Sequence, residues 1–204
     1  MSEEQAEGWD FETRAGLMLA LFAAAMSISD LYAGKFGDDE IIGTNEKAAA
    51  FNWYQSKSTK ETLLEAQRDL LLALEEVGAI TAETRPALDK QVQTLEGEIK
   101  RYGMEKKEIL LGSAAVGPEG QVQEVDGEKG KVVGAKEWEG TLEKLGAMGD
   151  AFDLGGLFYQ LCMVMGAVSI TLKSPGIRNF FFWSMVVLGI SGTAVSVYAM
   201  TLAP

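Results

Sequence analysis

The sequence of 204 residues contains no histidine and only one cysteine, Cys162. Without histidine, Ser-His-Asp and Cys-His catalysis, histidine-ligated metals and pH switching by imidazole are excluded. A single cysteine excludes a disulfide within the chain and any zinc or iron–sulfur site built from several cysteines. We therefore expect neither a metal nor a cofactor.

Basic residues are also scarce, with 18 Lys and Arg against 30 Asp and Glu and a formal net charge of −12. Binding to a phosphate backbone needs clustered Lys and Arg, so no nucleic-acid partner is expected. The acidic runs at residues 38–40 and 75–76 lack the alternating oxygen ligands of a calcium loop. The sequence contains no G-x-G-x-x-G, G-x-S-x-G or P-loop pattern. No catalytic residue is identified, and we do not expect an enzyme.

Charge is absent from two long stretches, residues 154–172 and 179–204. A helix of ~20 mostly apolar residues spans a bilayer core, so each stretch is long enough to cross one. Between them, Pro175 and Gly176 indicate a tight turn. The pattern predicts a transmembrane hairpin with spans at residues 153–173 and 179–202. Two core helices of a soluble protein are the alternative, although such helices are seldom uncharged all round.

A third apolar stretch at residues 15–33 is rich in alanine and includes Asp30. It follows an acidic tail, residues 1–14, whereas a secretory signal peptide begins with a positive segment. We therefore interpret it as a first membrane span rather than a signal peptide. Lys173 and Arg178 in the short loop between the later spans should face the cytoplasm. The N-terminus is then also cytoplasmic, and residues 34–152 lie on the opposite side.

The extramembrane segment should begin with an irregular acidic link that contains Gly34, Gly37 and Gly43. From about residue 45 a helical pattern follows, with two seams of four-three spacing. The first is Leu63, Gln67, Leu70, Leu74 and Val77, and the second is Leu88, Val92, Leu95, Ile99 and Tyr102. Gly78 offers a helix end and Thr84 with Pro86 a new beginning, which predicts an antiparallel helical hairpin. We expect the seams to form the core between its helices, with a separate dimer zipper as the alternative.

A glycine-rich insert at residues 113–134 interrupts the helical pattern, which returns from Ala135 into the second span. The insert is either a small β-hairpin or a disordered loop, and the sequence leaves both open. The fold class predicted is mainly α, with three transmembrane helices and an extramembrane helical hairpin.

Within the predicted spans, Asp30 and Gln160 are candidate pore-lining or interhelical polar residues. Asp30 is also close enough to the helix end to lie simply at the membrane interface. Small residues at helical spacing predict close helix packing, within or between subunits. They are Gly189, Gly192 and Ser196 in the third span and Cys162 and Gly166 in the second.

An aromatic cluster enters a polar motif in FNWYQSKS, which contains Trp53, Tyr54, Gln55, Lys57 and Ser58. With the layout of one span, a helical hairpin and two closing spans, it resembles an uncharacterised family of bacterial membrane proteins, a domain of unknown function. The resemblance implies the bacterial inner membrane and implies no activity. Members often carry a histidine-rich acidic tail, and the tail here has no histidine. The aromatic residues fit an interfacial belt or a packed helix base, and we favour packing.

These patterns support three hypotheses for function. The leading one is a non-enzymatic scaffold or interaction protein, assembled from copies of this chain in contact with membrane lipid. The second is an oligomeric pore, for which Asp30 and Gln160 are the candidate residues. The third is an accessory subunit of a larger membrane complex.

Overall fold

The computed structural model describes residues 10–203, and most of them are helical. The tail predicted at residues 1–14 therefore lies mostly outside the described residues. The elements in chain order are α1 (Phe11–Glu76), α2 (Arg85–Leu111), α3 (Ser113–Val116), a 3-10 helix (Pro118–Gly120), β1 (Glu124–Val125), β2 (Glu128–Lys129), α4 (Ala135–Thr171) and α5 (Pro175–Thr201).

The chain divides into two compact units. The first, the three-helix unit, comprises the described residues up to Ile41 together with those from Glu143 onward. The second, the hairpin unit, is Ile42–Leu142. Helix α1 begins after Asp10, whose carboxylate Oδ1 accepts a hydrogen bond of 2.8 Å from the backbone N–H of Thr13. Hydrogen bonding with Thr13 lowers the pKa of Asp10, as expected for an acid at a helix N-terminus.

The three-helix unit packs parts of α1, α4 and α5 around apolar side chains. Its core includes one cluster of Phe22, Tyr159, Cys162 and Met185 and a second of Leu145, Met148, Phe152 and Ala199. The prediction of three helices long and apolar enough to cross a membrane is confirmed for α1, α4 and α5. Their packing positions the polar residues described below.

Glycine lets α4 and α5 approach closely. A Cβ added at Gly155 would lie 2.7 Å from Ser196 Oγ and 3.3 Å from the carbonyl oxygen of Gly192. Both distances are shorter than ordinary contacts, so the backbones meet at a separation that only glycine permits. The neighbouring Gly156 has open space around the same position.

The irregular link predicted before residue 45 is wrong, because α1 continues through it without a break. Each glycine costs a helix ~1 kcal/mol relative to alanine, but packing outweighs that cost. Within the three-helix unit, Phe36 stacks on Phe152 with ring centroids 6.1 Å apart. Within the hairpin unit, Gly43 is buried, and a Cβ there would lie 3.1 Å from Leu142.

The turn between α4 and α5 also precedes the predicted position at Pro175 and Gly176. Leu172, Lys173 and Ser174 form it, whereas Pro175 and Gly176 belong to the first turn of α5. Proline suits this position because the first backbone N–H groups of a helix have no partner within the helix.

The hairpin unit contains two helices joined by a short turn at the position where the sequence predicts a helical hairpin. Helix α1 ends at Glu76, Gly78 follows with φ +72°, and α2 starts after Thr84. The seam on α2 is turned inward as expected, with Leu88 and Leu95 buried. The rest of that seam, Val92, Ile99 and Tyr102, is half-buried.

The matching prediction for α1 is wrong. Leu63, Leu70 and Val77 are 58%, 61% and 75% exposed, and Gln67 is exposed as well. Helix α1 instead turns a different face toward α2. On that face Lys57, Glu61 and Glu75 pair with side chains of opposite charge on α2. Tyr54 lies on the same face, beneath Lys106. Ion pairs therefore occupy the position between the helices where the apolar seam of α1 was predicted.

The glycine-rich insert contains a β-hairpin, the first of the two structures left open by the sequence. Strands β1 and β2 pair antiparallel, with Val125 opposite Glu128. The two turn residues, Asp126 and Gly127, have φ values of 52° and 79°. Positive φ at both positions is typical of the two-residue turn that matches the twist of a β-hairpin, and Asp-Gly is a favoured pair there.

We expect Gly155→Ala to destabilise the three-helix unit, because its Cβ would displace Ser196 or the α5 backbone. Overpacking of this kind costs ~1–3 kcal/mol. Gly156→Ala is the control, since it adds the same methyl group in open space on the same helix. Thermal unfolding in detergent should show a lower midpoint for Gly155→Ala alone. Equal midpoints for the two variants would contradict the close approach of α4 and α5.

Candidate functional site

A cluster of charged and aromatic side chains lies between α1 and α2 in the hairpin unit. We call it the hairpin cluster; its members are Tyr54, Lys57 and Glu61 of α1 and Arg101, Tyr102, Glu105 and Lys106 of α2. Lys57 Nζ lies 2.6 Å from Glu105 Oε2, and Lys106 pairs with Glu61. The two lysines also lie over aromatic rings, Lys57 over Tyr102 at 5.5 Å and Lys106 over Tyr54 at 5.7 Å.

The ion pairs of the hairpin cluster are largely withdrawn from water. The side chains of Lys57 and Glu105 are 17% and 9% exposed, and Glu105 also lies 3.4 Å from Arg101 Nε. Removing one partner of such a pair leaves an uncompensated charge, which is costly, so the pairing favours one register between the helices. The cluster contains carboxylates paired with cations, an arrangement that holds helices together.

A second polar centre surrounds Glu108, which is fully buried near the end of α2. Its Oε1 accepts a hydrogen bond of 2.7 Å from Ser113 Oγ, and its Oε2 accepts bonds of 2.8 Å from the backbone N–H groups of Val122 and Gln123. Ser113 Oγ in turn accepts a bond of 3.0 Å from the Val132 N–H. One carboxylate thus anchors both sides of the glycine-rich insert.

Two hydroxyl contacts join helices inside the three-helix unit. Ser29 of α1 and Ser196 of α5 lie 2.8 Å apart at their Oγ atoms, and both are buried. Tyr159 of α4 donates a hydrogen bond of 2.9 Å to Thr193 Oγ1 on α5. Each hydroxyl therefore meets a polar partner across a helix boundary, as apolar surroundings require.

Both candidate pore residues lie at the surface. Asp30 and Gln160 are exposed on the outside of the single chain. Neither has a side-chain hydrogen bond within the part of the chain that the structure describes.

The small residues predicted to pack do lie where helices meet. A Cβ at Gly189 would lie 2.5 Å from the ring of Phe22, and one at Gly192 would lie 3.1 Å from the Gly155 carbonyl oxygen. Gly166 faces Leu19 and Met185, Cys162 belongs to the core, and Ser196 bonds to Ser29. These contacts are made within one chain.

The residues of the FNWYQSKS motif have different surroundings. Tyr54 and Lys57 belong to the hairpin cluster, whereas Gln55 is exposed. Trp53 is half-buried and lines a cavity of about 270 Å³ beside Val132 and Trp138. The motif therefore contacts α2, α4 and the insert, all within the hairpin unit.

One exposed side of α1 in the hairpin unit consists of uncharged residues, with the exposed charges Lys60 and Asp69 at its edges. We call it the uncharged stripe. Its first part consists of small and polar residues, and its second part of mostly apolar ones. They are Thr44, Asn45, Ala48, Asn52, Gln55, Ser56, Thr59 and Thr62, then Leu63, Ala66, Gln67, Leu70, Ala73, Leu74 and Val77. In a chain with net charge −12, this stripe is unusual on a solvent-facing helix.

Sequence reasoning missed Glu105, Lys106 and Glu108 as buried polar residues. A signal was present for two of them, because Glu105 and Lys106 follow Tyr102 by three and four residues and so continue the inward seam of α2. Glu108 and the Ser29–Ser196 pair had no such signal. Among residues 10–203 no three His, Cys, Asp or Glu side chains are grouped to hold a metal ion.

The chain belongs to an uncharacterised protein family. Residues 11–202 match the family described as Domain of unknown function (DUF4337). This confirms the resemblance to a domain of unknown function. No curated protein and no solved structure matches the chain.

We expect Glu108→Gln to loosen the glycine-rich insert. Three N–H or O–H donors bond to the two carboxylate oxygens of Glu108, and an amide offers only one oxygen. Leaving a buried donor unpaired costs ~1–3 kcal/mol. Hydrogen exchange at the amides of Val122, Gln123 and Val132 should accelerate. Glu96→Gln, an exposed site on the same helix, is the control and should leave exchange unchanged. Unaltered protection in Glu108→Gln would show that the carboxylate does not anchor the insert.

Proposed function

We propose that this member of the family is a non-enzymatic scaffold or interaction protein, which spans the bacterial inner membrane and works as an assembly of identical copies. The observation that carries the proposal is the contrast between the two units. Apolar side chains cover the outside of the three-helix unit, whereas paired charges hold the hairpin unit together.

The outward face of the three-helix unit supports membrane insertion. Large apolar side chains are exposed on each of its helices. They include Leu21, Ile28 and Leu31 on α1, Leu157 and Val164 on α4, and Phe180, Trp183, Val187 and Ile190 on α5. An apolar surface of this extent is unfavourable in water and suits the hydrocarbon of a bilayer. The buried hydroxyl groups of Ser29 and Ser196 point inward to each other, as in membrane helix bundles.

The use of charge in the hairpin unit supports an interaction role. Lys57, Glu61, Glu105 and Lys106 fix the helices against each other, and Glu108 anchors the insert. These buried and half-buried groups therefore maintain a defined shape. The outer surface that this shape presents includes the uncharged stripe, which is suited to contacts with another protein.

The orientation follows from the basic loop between α4 and α5. Lys173 is exposed there, and the guanidinium carbon of Arg178, in the first turn of α5, lies 4.0 Å from the centroid of the Phe11 ring. By the preference of Lys and Arg for the cytoplasmic side, this loop and the N-terminus lie in the cytoplasm. The hairpin unit then lies on the opposite side of the inner membrane.

Cysteine labelling tests this orientation. In a Cys162→Ala background, Glu119→Cys and Ser174→Cys each place one thiol at an exposed site. A membrane-impermeant maleimide applied to spheroplasts should label Glu119→Cys and should reach Ser174→Cys only after permeabilisation. Labelling of both sites before permeabilisation, or of neither, would contradict the proposed topology.

Asp30→Asn separates a scaffold from a pore. In a scaffold this exposed carboxylate lies at the membrane interface, so the variant should assemble and leave liposomes as tight to cations as the wild type does. In an oligomeric pore the carboxylates would form a ring that sets cation preference. Cation flux into liposomes that contain either protein measures the difference. Robust wild-type flux that the variant abolishes would overturn the proposed function.

A further inference from the structure

We propose that the uncharged stripe is the surface through which two copies of this chain pair, with their α1 helices parallel and in register. This inference rests on the proposed function, because it names the contact by which the assembly forms. Its starting point is the rotation of α1, which leaves Leu63, Leu70, Leu74 and Val77 exposed.

The spacing of the stripe specifies a helical partner. Leu63, Gln67, Leu70, Leu74 and Val77 follow one another at four-three intervals, which is the repeat of a coiled-coil seam. A seam of this kind packs its side chains between those of a second helix with the same repeat. Within the chain, the other seam of this spacing is on α2 and is already turned inward against α1.

Charge makes a second copy the fitting occupant. Each chain carries a net charge of −12, so most surfaces of two copies repel each other. The residues of the stripe itself are uncharged, and the exposed charges Lys60 and Asp69 of the same helix lie at its edges. Ala66 and Ala73 flank the seam with small side chains, which allow another helix to approach closely. Two copies therefore meet on this face without burying a charge or opposing like charges.

The single polar residue of the seam favours parallel pairing in register. In that arrangement Gln67 faces Gln67 of the second copy, and the two amides can exchange hydrogen bonds. An antiparallel pair centred on Leu70 would set Gln67 against apolar side chains and leave a buried amide unpaired, which is costly. Anchoring in one membrane also gives every copy the same orientation, so parallel helices meet without further ordering.

The area of the stripe is consistent with pairing that depends on the membrane. From Thr44 to Val77 the helix rises ~50 Å, and a strip ~10 Å wide covers ~500 Å² on each copy. The total of ~1,000 Å² is near the lower limit for a specific interface. Confinement of both copies to one bilayer raises their effective concentration and so compensates for the small area.

Disulfide cross-linking of the full-length chain tests the geometry. In the Cys162→Ala background, Leu63→Cys should form a disulfide dimer rapidly in lipid vesicles at low protein-to-lipid ratio, since the two residues face each other across a parallel seam. Gln93→Cys is the control; it is exposed on α2 and away from the stripe. It should remain monomeric under the same oxidation.

A mixture of Leu63→Cys and Val77→Cys chains distinguishes the directions. The two positions are ~21 Å apart along the helix, so a parallel pair yields homodimers and an antiparallel pair yields mixed dimers. Mixed dimers, or no dimer of Leu63→Cys above the Gln93→Cys control, would overturn the parallel pairing.

A charge placed in the seam tests its contribution to assembly. Leu70→Lys sets two ammonium groups against each other across the seam and should raise the dissociation constant of the dimer by ~100-fold or more. Gln93→Lys adds the same charge at an exposed site on α2 and should have little effect. Because Leu70 is exposed in the single chain, circular dichroism should show unchanged helix content.

Light scattering separates this inference from the proposed function. A wild-type mass of one 22.0 kDa chain in lipid nanodiscs would overturn both. A multiple of that mass that Leu70→Lys does not reduce would leave the proposed assembly standing and overturn the stripe as its contact.

Discussion

Two ion pairs of the hairpin cluster occupy the face of α1 that lies against α2, and so determine which face of the helix is left for other contacts. Lys57 with Glu105 and Glu61 with Lys106 need to lie between the helices, where little water reaches them. A helix has one rotation about its axis, so burying this charged face turns the apolar seam of α1 outward. The exposed leucines are thus a consequence of the hairpin cluster. The exposed apolar surface of α1 therefore results from the burial of the charged face opposite it.

The two units combine polar and apolar groups in opposite ways. In the three-helix unit, Ser29, Ser196, Gly155 and Gly189 lie inside and large apolar side chains lie outside, as expected of helices that pack in a bilayer. In the hairpin unit, apolar residues of α2 lie inside together with paired charges. The same physical rule governs both, because a polar group away from water needs a partner. The family is described only as a domain of unknown function, so the proposed role is supported by the contacts within the two units.

Many residues of the helix contacts could be predicted from local sequence patterns, but the residues that they contact could not. The spacing of Gly189, Gly192 and Ser196 indicated close packing before any partner was known. Their actual neighbours, Phe22, Gly155 and Ser29, lie far away in the sequence. Glu108 could not be recognised because a buried carboxylate has no signature of its own. The anchoring role of Glu108 depends on hydrogen bonds from the backbone N–H groups of Val122 and Gln123, which only the folded insert presents.

The sequence by itself determined two features of this protein: uncharged stretches long enough to cross a bilayer, and a helix that ends near Gly78 and is followed by another after Thr84. These depend on interactions between residues that are near in the chain, which composition and spacing record directly. Tertiary structure alone decided that the helix continues through Gly43 and that the Leu63–Val77 seam faces outward. Both outcomes involve residues of other helices, since Leu142 packs close to Gly43 and Glu105 pairs with Lys57 on the inward face of α1. Periodicity shows that a helix has an apolar face, but the charges on the opposing helix determine whether that face is buried.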